Sequence, residues 1–211
     1  MQCHDIELSI RGFLRGFGLK IGKVTKKDFE PRVRELVTGH ETLEVIAAAM
    51  LAARATLLIE FNKLHKAVLD IVRHDEVSRR FMNTPSVGAI VAITYRSALD
   101  DPCRISKSKN AGPLFGLTPS RYQSGETDVT GGITRVGDEM VRTALYEAAN
   151  TLLSPRTRFS ALKRWGLEVA KRRGNKRAKV AVARKLAVIL HRMWIDGTTF
   201  RWSKTEAAQA A

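Results

Sequence analysis

The stretch GLTPSRYQSGETDVTGGITRVGDEM, Gly116 to Met140, holds five glycines, two arginines and scarcely any hydrophobic periodicity. At its centre, Tyr122-Gln123-Ser124-Gly125 sets a hydroxyl beside a residue that tolerates backbone shapes other residues resist. A serine oxygen at an exposed bend can attack a phosphodiester if cations stabilise the phosphate oxygens and the departing 3′-oxygen. Arg121 and Arg135 flank the bend, and guanidinium forks suit that geometry. A serine in a glycine-rich turn is more often only a turn residue, so both readings stand on these residues alone. Acyl transfer is disfavoured, because the stretch is not a G-x-S-x-G elbow and no His/Asp pair lies nearby.

Two other segments carry phosphate chemistry. In FMNTPSVGAIVAITYRSAL, a helix ending near Met82, a T-P-S-V-G turn and an apolar helix from about Gly88 to Leu99 read as a helix-hairpin-helix-like element. Such a hairpin brings backbone N–H groups, here those of Val87 and Gly88, to a phosphate at the positive end of the second helix. Ser86 occupies the place of the usual first glycine, and a plain helical turn is the competing reading. From Arg156 to Arg192 there are thirteen Lys or Arg against one acid, Glu168, interleaved with apolar residues. That pattern reads as two amphipathic helices split at Gly174. Lys163, Arg164, Lys171, Arg172, Arg173, Lys176, Arg177 and Lys179 are the candidate nucleic-acid-binding residues.

The scaffold that must position these groups reads as mainly α. Residues 1–40 contain five glycines and Pro31 and read as an irregular leader, with a short helix conceivable over IELSIRGFL. Residues 41–80 contain neither glycine nor proline. Apolar residues at Leu43, Ile46, Met50, Ala53, Leu57, Phe61, Leu64, Val68 and Ile71 follow steps of three and four, so a long coiled-coil-like arm is expected. One helix of an ordinary bundle fits the same spacing, and a homodimer or higher oligomer through 43–71 is an expectation of the coiled-coil reading. A compact helical core over 81–154 should follow, holding the hairpin element and a Gly-rich loop or short β-hairpin. Ser106 or Ser108 could cap a short helix closed at Gly116, and Asp138 or Glu139 should open one running to Leu153. The basic helical region spans 155–202, and 203–211 reads as a disordered tail.

Thirty-six Lys and Arg against twenty-one Asp and Glu leave a net charge of +15, which calls for a polyanionic partner, DNA first. The longest apolar run, Val45 to Ala53, stops at Arg54, short of the roughly twenty residues a membrane span needs, so no membrane partner is expected. The amino terminus has no export signal, and two cysteines without metal spacing suit a reducing compartment, so a cytoplasmic location is expected. The five histidines are scattered, and no metal is assigned to them.

Three strings carry a resemblance: TPSVGAIVAITYRSALDDP, FGLTPSRYQSGETDVTGGITRVGDEMVRTALYEAA and KRWGLEVAKRRGNKRAKVAVARKLAVILHRMW. Together they resemble the C-terminal half of an insertion-sequence transposase of the IS-one-ten family, whose recombination is guided by a bridge RNA. The likeness runs from about Ile10 to Trp202. It implies that Ser124, the serine of the Y-x-S-G segment, attacks DNA and forms a covalent phosphoserine intermediate, and that DNA and a guide RNA are partners. Arg121, Arg135 and Arg142 are then candidate phosphate-stabilising neighbours of Ser124. Members of that family begin with a RuvC-like domain whose four carboxylates hold Mg²⁺. Here Asp5 and Glu7 lack the companions such a site requires. The chain is therefore expected to hold no cofactor itself, to need Mg²⁺ only with a RuvC-like partner, and to be a truncated transposase inactive alone. A non-catalytic basic DNA- or RNA-binding module is the alternative.

Overall fold

A computed structural model describes residues 2–202, and the tail 203–211 lies outside the described residues. The fold is mainly α, with one two-stranded sheet among the described residues. It divides between Ala67 and Val68 into two compact units.

In the first unit the expected irregular leader is instead helical: α1 spans Gln2–Gly16 and α2 spans Phe29–Val37. Of the five glycines, Gly16 ends α1, Gly18 and Gly22 lie in the connection after it, Gly39 lies between α2 and the next helix, and only Gly12 is inside a helix; Pro31 lies in the first turn of α2, where its missing N–H breaks no bond. Ile10 and Leu14 of α1, Phe29, Val33 and Val37 of α2, and Leu43, Ala47 and Leu51 of the following helix form a core of their own. Arg54 is drawn into this core, and Glu7 accepts from its Nε at 2.8 Å. Its guanidinium carbon lies 5.1 Å from the centroid of the Phe29 ring. A charge so placed needs its partner, because an unpaired buried ion is strongly destabilising.

Helix α3 spans Glu41–His74 and stops short of residue 80, because Asp75 takes up an extended conformation and caps α4, Glu76–Phe81, by accepting from Ser78 N. The expected seam is only partly the packed face. Leu43 is buried, but Ile46, Phe61, Leu64 and Ile71 are exposed, and packing in the first unit uses Ala47 and Leu51 instead. By length and composition α3 could cross a membrane, with a mean hydropathy of 1.8 over its most apolar window. Counting along the uninterrupted run missed this, because Arg54 divides an apolar stretch that continues to Ile59.

In the second unit, α5 (Ala89–Leu99), α7 (Glu139–Leu153) and α8 (Ala161–Arg173) pack around α9 (Asn175–Ile195). Helix α9 buries Ala178, Val182, Leu186, Ala187 and Leu190, and its small residues let neighbours approach closely. Tyr95 of α5 is fully buried, meets Phe81 edge to face at 5.6 Å, and donates its hydroxyl to Ala187 O at 2.7 Å. Burial pushes its phenol well above the ordinary tyrosine value. His191 is also buried; its Nε2 donates to Pro102 O at 2.9 Å, which leaves Nδ1 to accept from the Ser108 hydroxyl at 3.0 Å. Ser108 therefore serves this network and begins a short 3₁₀ turn, and α6 (Ala111–Leu114) is a single turn after it.

The Gly-rich stretch forms a β-hairpin, β1 (Pro119–Ser124) and β2 (Thr127–Ile133). Tyr122 faces Val129 across it, an aromatic and β-branched pair of the kind that stabilises antiparallel strands. Gly125, at φ +57, is the first of the two loop residues, where short hairpins favour glycine. Helix α7 then starts as the sequence implies, Asp138 accepting from Val141 N.

Candidate functional site

Ser124 closes β1, pairs with Thr127, is exposed, and its hydroxyl makes no hydrogen bond among the described residues. The hairpin buries almost nothing of its own, since only Ser120 and Ile133 are half-buried. It is held at its base. Thr134 N donates to Thr118 O at 2.9 Å and Arg135 N to Gly116 O at 3.3 Å. Arg142 of α7 reaches back with Nη1 to Phe115 O and Val136 O, each at 3.3 Å. These bonds carry the serine on an arm projecting from a helical base.

None of the three candidate arginines stands beside Ser124. Side chains alternate along a strand, so Arg121 and Gln123 share one face of the hairpin while Tyr122 and Ser124 share the other. On its own face Arg121 grips Asp128 through two bonds, Nε to Oδ1 at 3.1 Å and Nη2 to Oδ2 at 2.7 Å. Arg135, at φ +57, and Arg142 lie at the base, separated from the tip by the length of β2, seven residues or about 23 Å at the usual rise per residue. The expectation of a Ser124 flanked by its own cations is corrected: Arg121 is turned away, Arg135 is at the far end, and Arg142 braces the backbone. Spacing along the chain does not reveal strand face, and the pairing of Arg121 with Asp128 emerges only from the register.

Around the TPSVG turn, α4 and α5 flank the segment as expected, and Ser86 adopts φ +69 where a glycine would be at ease. Gly88 is the exposed N-cap of α5. Val87 does not present its amide to a ligand, because its side chain is buried and its N–H donates to Thr84 O at 3.1 Å.

The basic helices separate into two groups. Lys163 points inward: it is 5% exposed, and its Nζ donates to Ser154 O at 2.7 Å and Thr157 O at 2.6 Å. It ties α8 to the turn after α7 and leaves the set of outward cations. Lys179 is half-buried, its Nζ 5.9 Å from the centroid of the Tyr146 ring. Arg164, Lys171, Arg172, Arg173, Lys176 and Arg177 are exposed, and none forms an ion pair among the described residues. Lys171, Arg172 and Arg173 suit the negative end of α8, whereas Lys176 and Arg177 sit in the first turn of α9 with no acid there. Cations at the positive end of a helix oppose its dipole, and an anion bound at the Gly174 junction would relieve that repulsion.

Among the described residues no group of three or more His, Cys, Asp or Glu converges, and Glu7 is taken by Arg54.

The fold defines a class: a mainly α protein that projects one polar hairpin, with an exposed serine at its turn, from a helical unit that also carries a cluster of exposed cations. Comparison with known proteins places it more narrowly. Residues 78–164, from α4 through the hairpin into α8, match the family described as Transposase IS116/IS110/IS902, so the likeness to that family is carried by the segment that bears the hairpin. The putative transposase y4pF/y4sB of Sinorhizobium fredii is 28% identical over 204 residues, covering 92% of this chain and 52% of the relative. The transposase for insertion sequence element IS1111A of Coxiella burnetii is 26% identical over 200 residues, covering 91% of this chain and 54% of the relative. The chain thus spans about half the length of these curated relatives.

Proposed function

We propose that the chain acts in DNA transposition, with Ser124 as the nucleophile that opens a DNA strand. The observation carrying this reading is the uncovered Ser124 hydroxyl at the end of a hairpin pinned only at its base. In the step, Oγ bonds to phosphorus, the bond from phosphorus to the 3′-oxygen breaks, and the serine proton ends on that oxygen. The phosphodiester energy is kept in the phosphoserine link, and rejoining reverses the step. Since none of Arg121, Arg135 and Arg142 stands beside Ser124, charge stabilisation on this reading comes from a second body, a RuvC-like domain with its Mg²⁺ or another copy of the chain. The chain alone is inactive on this reading. The test is to combine it with such a domain, Mg²⁺, guide RNA and labelled DNA, and to map the adducted peptide after denaturing electrophoresis. An adduct on the peptide containing Ser124 is expected, and an adduct elsewhere refutes the assignment.

That none of Arg121, Arg135 and Arg142 stands beside Ser124 favours a second reading, a non-catalytic DNA- or RNA-binding module. The two readings part on whether any adduct forms. Both require the exposed cations at the junction of α8 and α9 to hold phosphates. Five of them, Lys171, Arg172, Arg173, Lys176 and Arg177, each neutralising one phosphate, give a slope of about −4 to −5 for log affinity on duplex DNA against log salt. A flat dependence would refute phosphate-driven binding under either reading.

The reading places the protein in the cytoplasm with DNA and a guide RNA, and pairs it with a second copy along α3. Phe61, Leu64 and Ile71 of that helix are 62%, 69% and 59% exposed, an apolar face left uncovered by the described residues. At micromolar concentration sedimentation is expected to give a dimer, which Phe61→Glu with Leu64→Glu converts to a monomer. A monomeric unmodified protein would rule this pairing out.

A further inference from the structure

The second unit contains a groove that lies apart from the serine hairpin and from the cations at the junction of α8 and α9, and that takes only Arg164 from the exposed set. Its sides are α8 and α9, and its end is closed by the segment after α9, which returns so that Trp202 O accepts from Ala161 N at 3.2 Å. The cavity measures about 510 Å³, within the size range of small-ligand sites. Trp165, Ile189 and Phe200 form its apolar wall, and Arg164, Lys185 and Arg201 bring three cations to it against one carboxylate, Glu168. None of these four charged groups forms an ion pair among the described residues. The Lys185 ammonium lies 4.0 Å from the centroid of the Trp165 ring.

An ordinary charged surface does not look like this. Lys185 is an exposed residue, yet its ammonium is laid across an indole at the side of a recess. Partial burial lowers its ammonium below the ordinary lysine value, so the charged form is held at some penalty. An anion entering the recess would remove that penalty. The site therefore combines a net excess of positive charge with an apolar wall and a concave shape.

That combination discriminates among nucleic-acid forms. A duplex presents its phosphates on a convex cylinder with the bases stacked inside, and it meets exposed side-chain tips. A single strand can turn one nucleotide inward, resting its base or sugar on an apolar wall while cations hold its phosphate. We propose that this groove binds one nucleotide of a single-stranded nucleic acid, with Arg164, Lys185 and Arg201 on its phosphate and Trp165, Ile189 and Phe200 against its nucleoside. The inference rests on the reading of the second unit as a nucleic-acid binder and adds a preference for unpaired strand. A displaced DNA strand and an unpaired stretch of guide RNA share the recognised chemistry.

The test uses the full chain and three fluorescein-labelled probes of one sequence: a twelve-nucleotide DNA strand, the same strand as RNA, and the DNA duplex. Lys185→Met keeps the aliphatic contact with Trp165 and removes the charge. It is expected to weaken binding of at least one single strand by about 5- to 10-fold and of duplex by less than about 2-fold. The strand type that loses more identifies the source. Arg177→Met, outside the groove, is expected to weaken all three probes alike. If Lys185→Met fails to fold, Arg201→Gln in the exposed returning segment provides the same comparison. Unchanged single-strand affinity, or equal loss on strand and duplex, overturns the groove while steep salt dependence of the unmodified protein preserves the broader reading. If the unmodified protein binds none of the probes, both fall.

Discussion

Ser124→Ala is expected to eliminate the covalent protein–DNA adduct, a loss of about a thousandfold or more, while DNA affinity and thermal stability stay as they were. The expectation follows from position. The hydroxyl makes no internal hydrogen bond and the residue is exposed, so its removal leaves no buried group unpaired and opens no cavity. Exposed substitutions of this kind change stability by less than about 0.5 kcal/mol. The whole effect is therefore chemical, since without Oγ there is no atom to bond to phosphorus, and losing a nucleophile removes about three orders of magnitude or more in rate. Adduct yield on a denaturing gel, calorimetric unfolding and filter-binding affinity measured on one preparation separate the outcomes. Adduct that survives the substitution sinks the assignment of Ser124. A large fall in melting temperature would show instead that the residue supports the hairpin.

Gly137→Ala is expected to be among the most destabilising single methyl additions available in the second unit. A Cβ built on Gly137 would lie 2.0 Å from Leu114 O, and the backbone there has φ +80. Left-handed backbone costs a non-glycine residue about 1–2 kcal/mol, and forcing a methyl group against a fixed carbonyl adds about 1–3 kcal/mol. The expected loss is about 3 kcal/mol in urea unfolding, a large fraction of the about 5–15 kcal/mol that holds an ordinary domain together. Gly132→Ala is the internal control, because a Cβ at Gly132 meets nothing within 4 Å and its φ is unremarkable for an L-residue. If the two variants unfold at the same urea concentration, the close approach of residue 137 to α6 is wrong. Function should follow stability here, since this contact and the Arg142 brace set the direction in which the arm projects.

Much of the fold is legible along the chain because its causes are local. The turn at Gly125, the cap at Asp138 and the break at Gly174 depend on residues within a few positions of each other, and each stands where expected. The leader misleads because glycines and a proline were counted without regard to where in a helix they fall. Gly16 ends α1, and Pro31 sits in the first turn of α2, where both are tolerated. The exposed position of Ser124 beside a glycine turn was legible from the bend chemistry. Its electrostatic surroundings were not, because nearness in sequence was taken for nearness in space. The groove between α8 and α9 is hidden for a related reason: Lys185 follows Trp165 by 20 residues and Arg201 follows Lys185 by 16, and nothing in that spacing joins them.

The residue order alone determined that this protein is helical, strongly basic and interrupted by one polar Gly-rich stretch with a serine at its bend, since propensity, turn chemistry and net charge are properties of short segments or of simple sums. Tertiary structure alone decided where the charged side chains point. Lys163 turns in to the carbonyls of Ser154 and Thr157 while Arg164 beside it faces water, and Arg121 turns to Asp128 and away from Ser124. The physical reason is that a side chain's direction is fixed by the rotation of its helix or the face of its strand. That rotation is set by whichever apolar residues, however distant in the chain, find each other in the core.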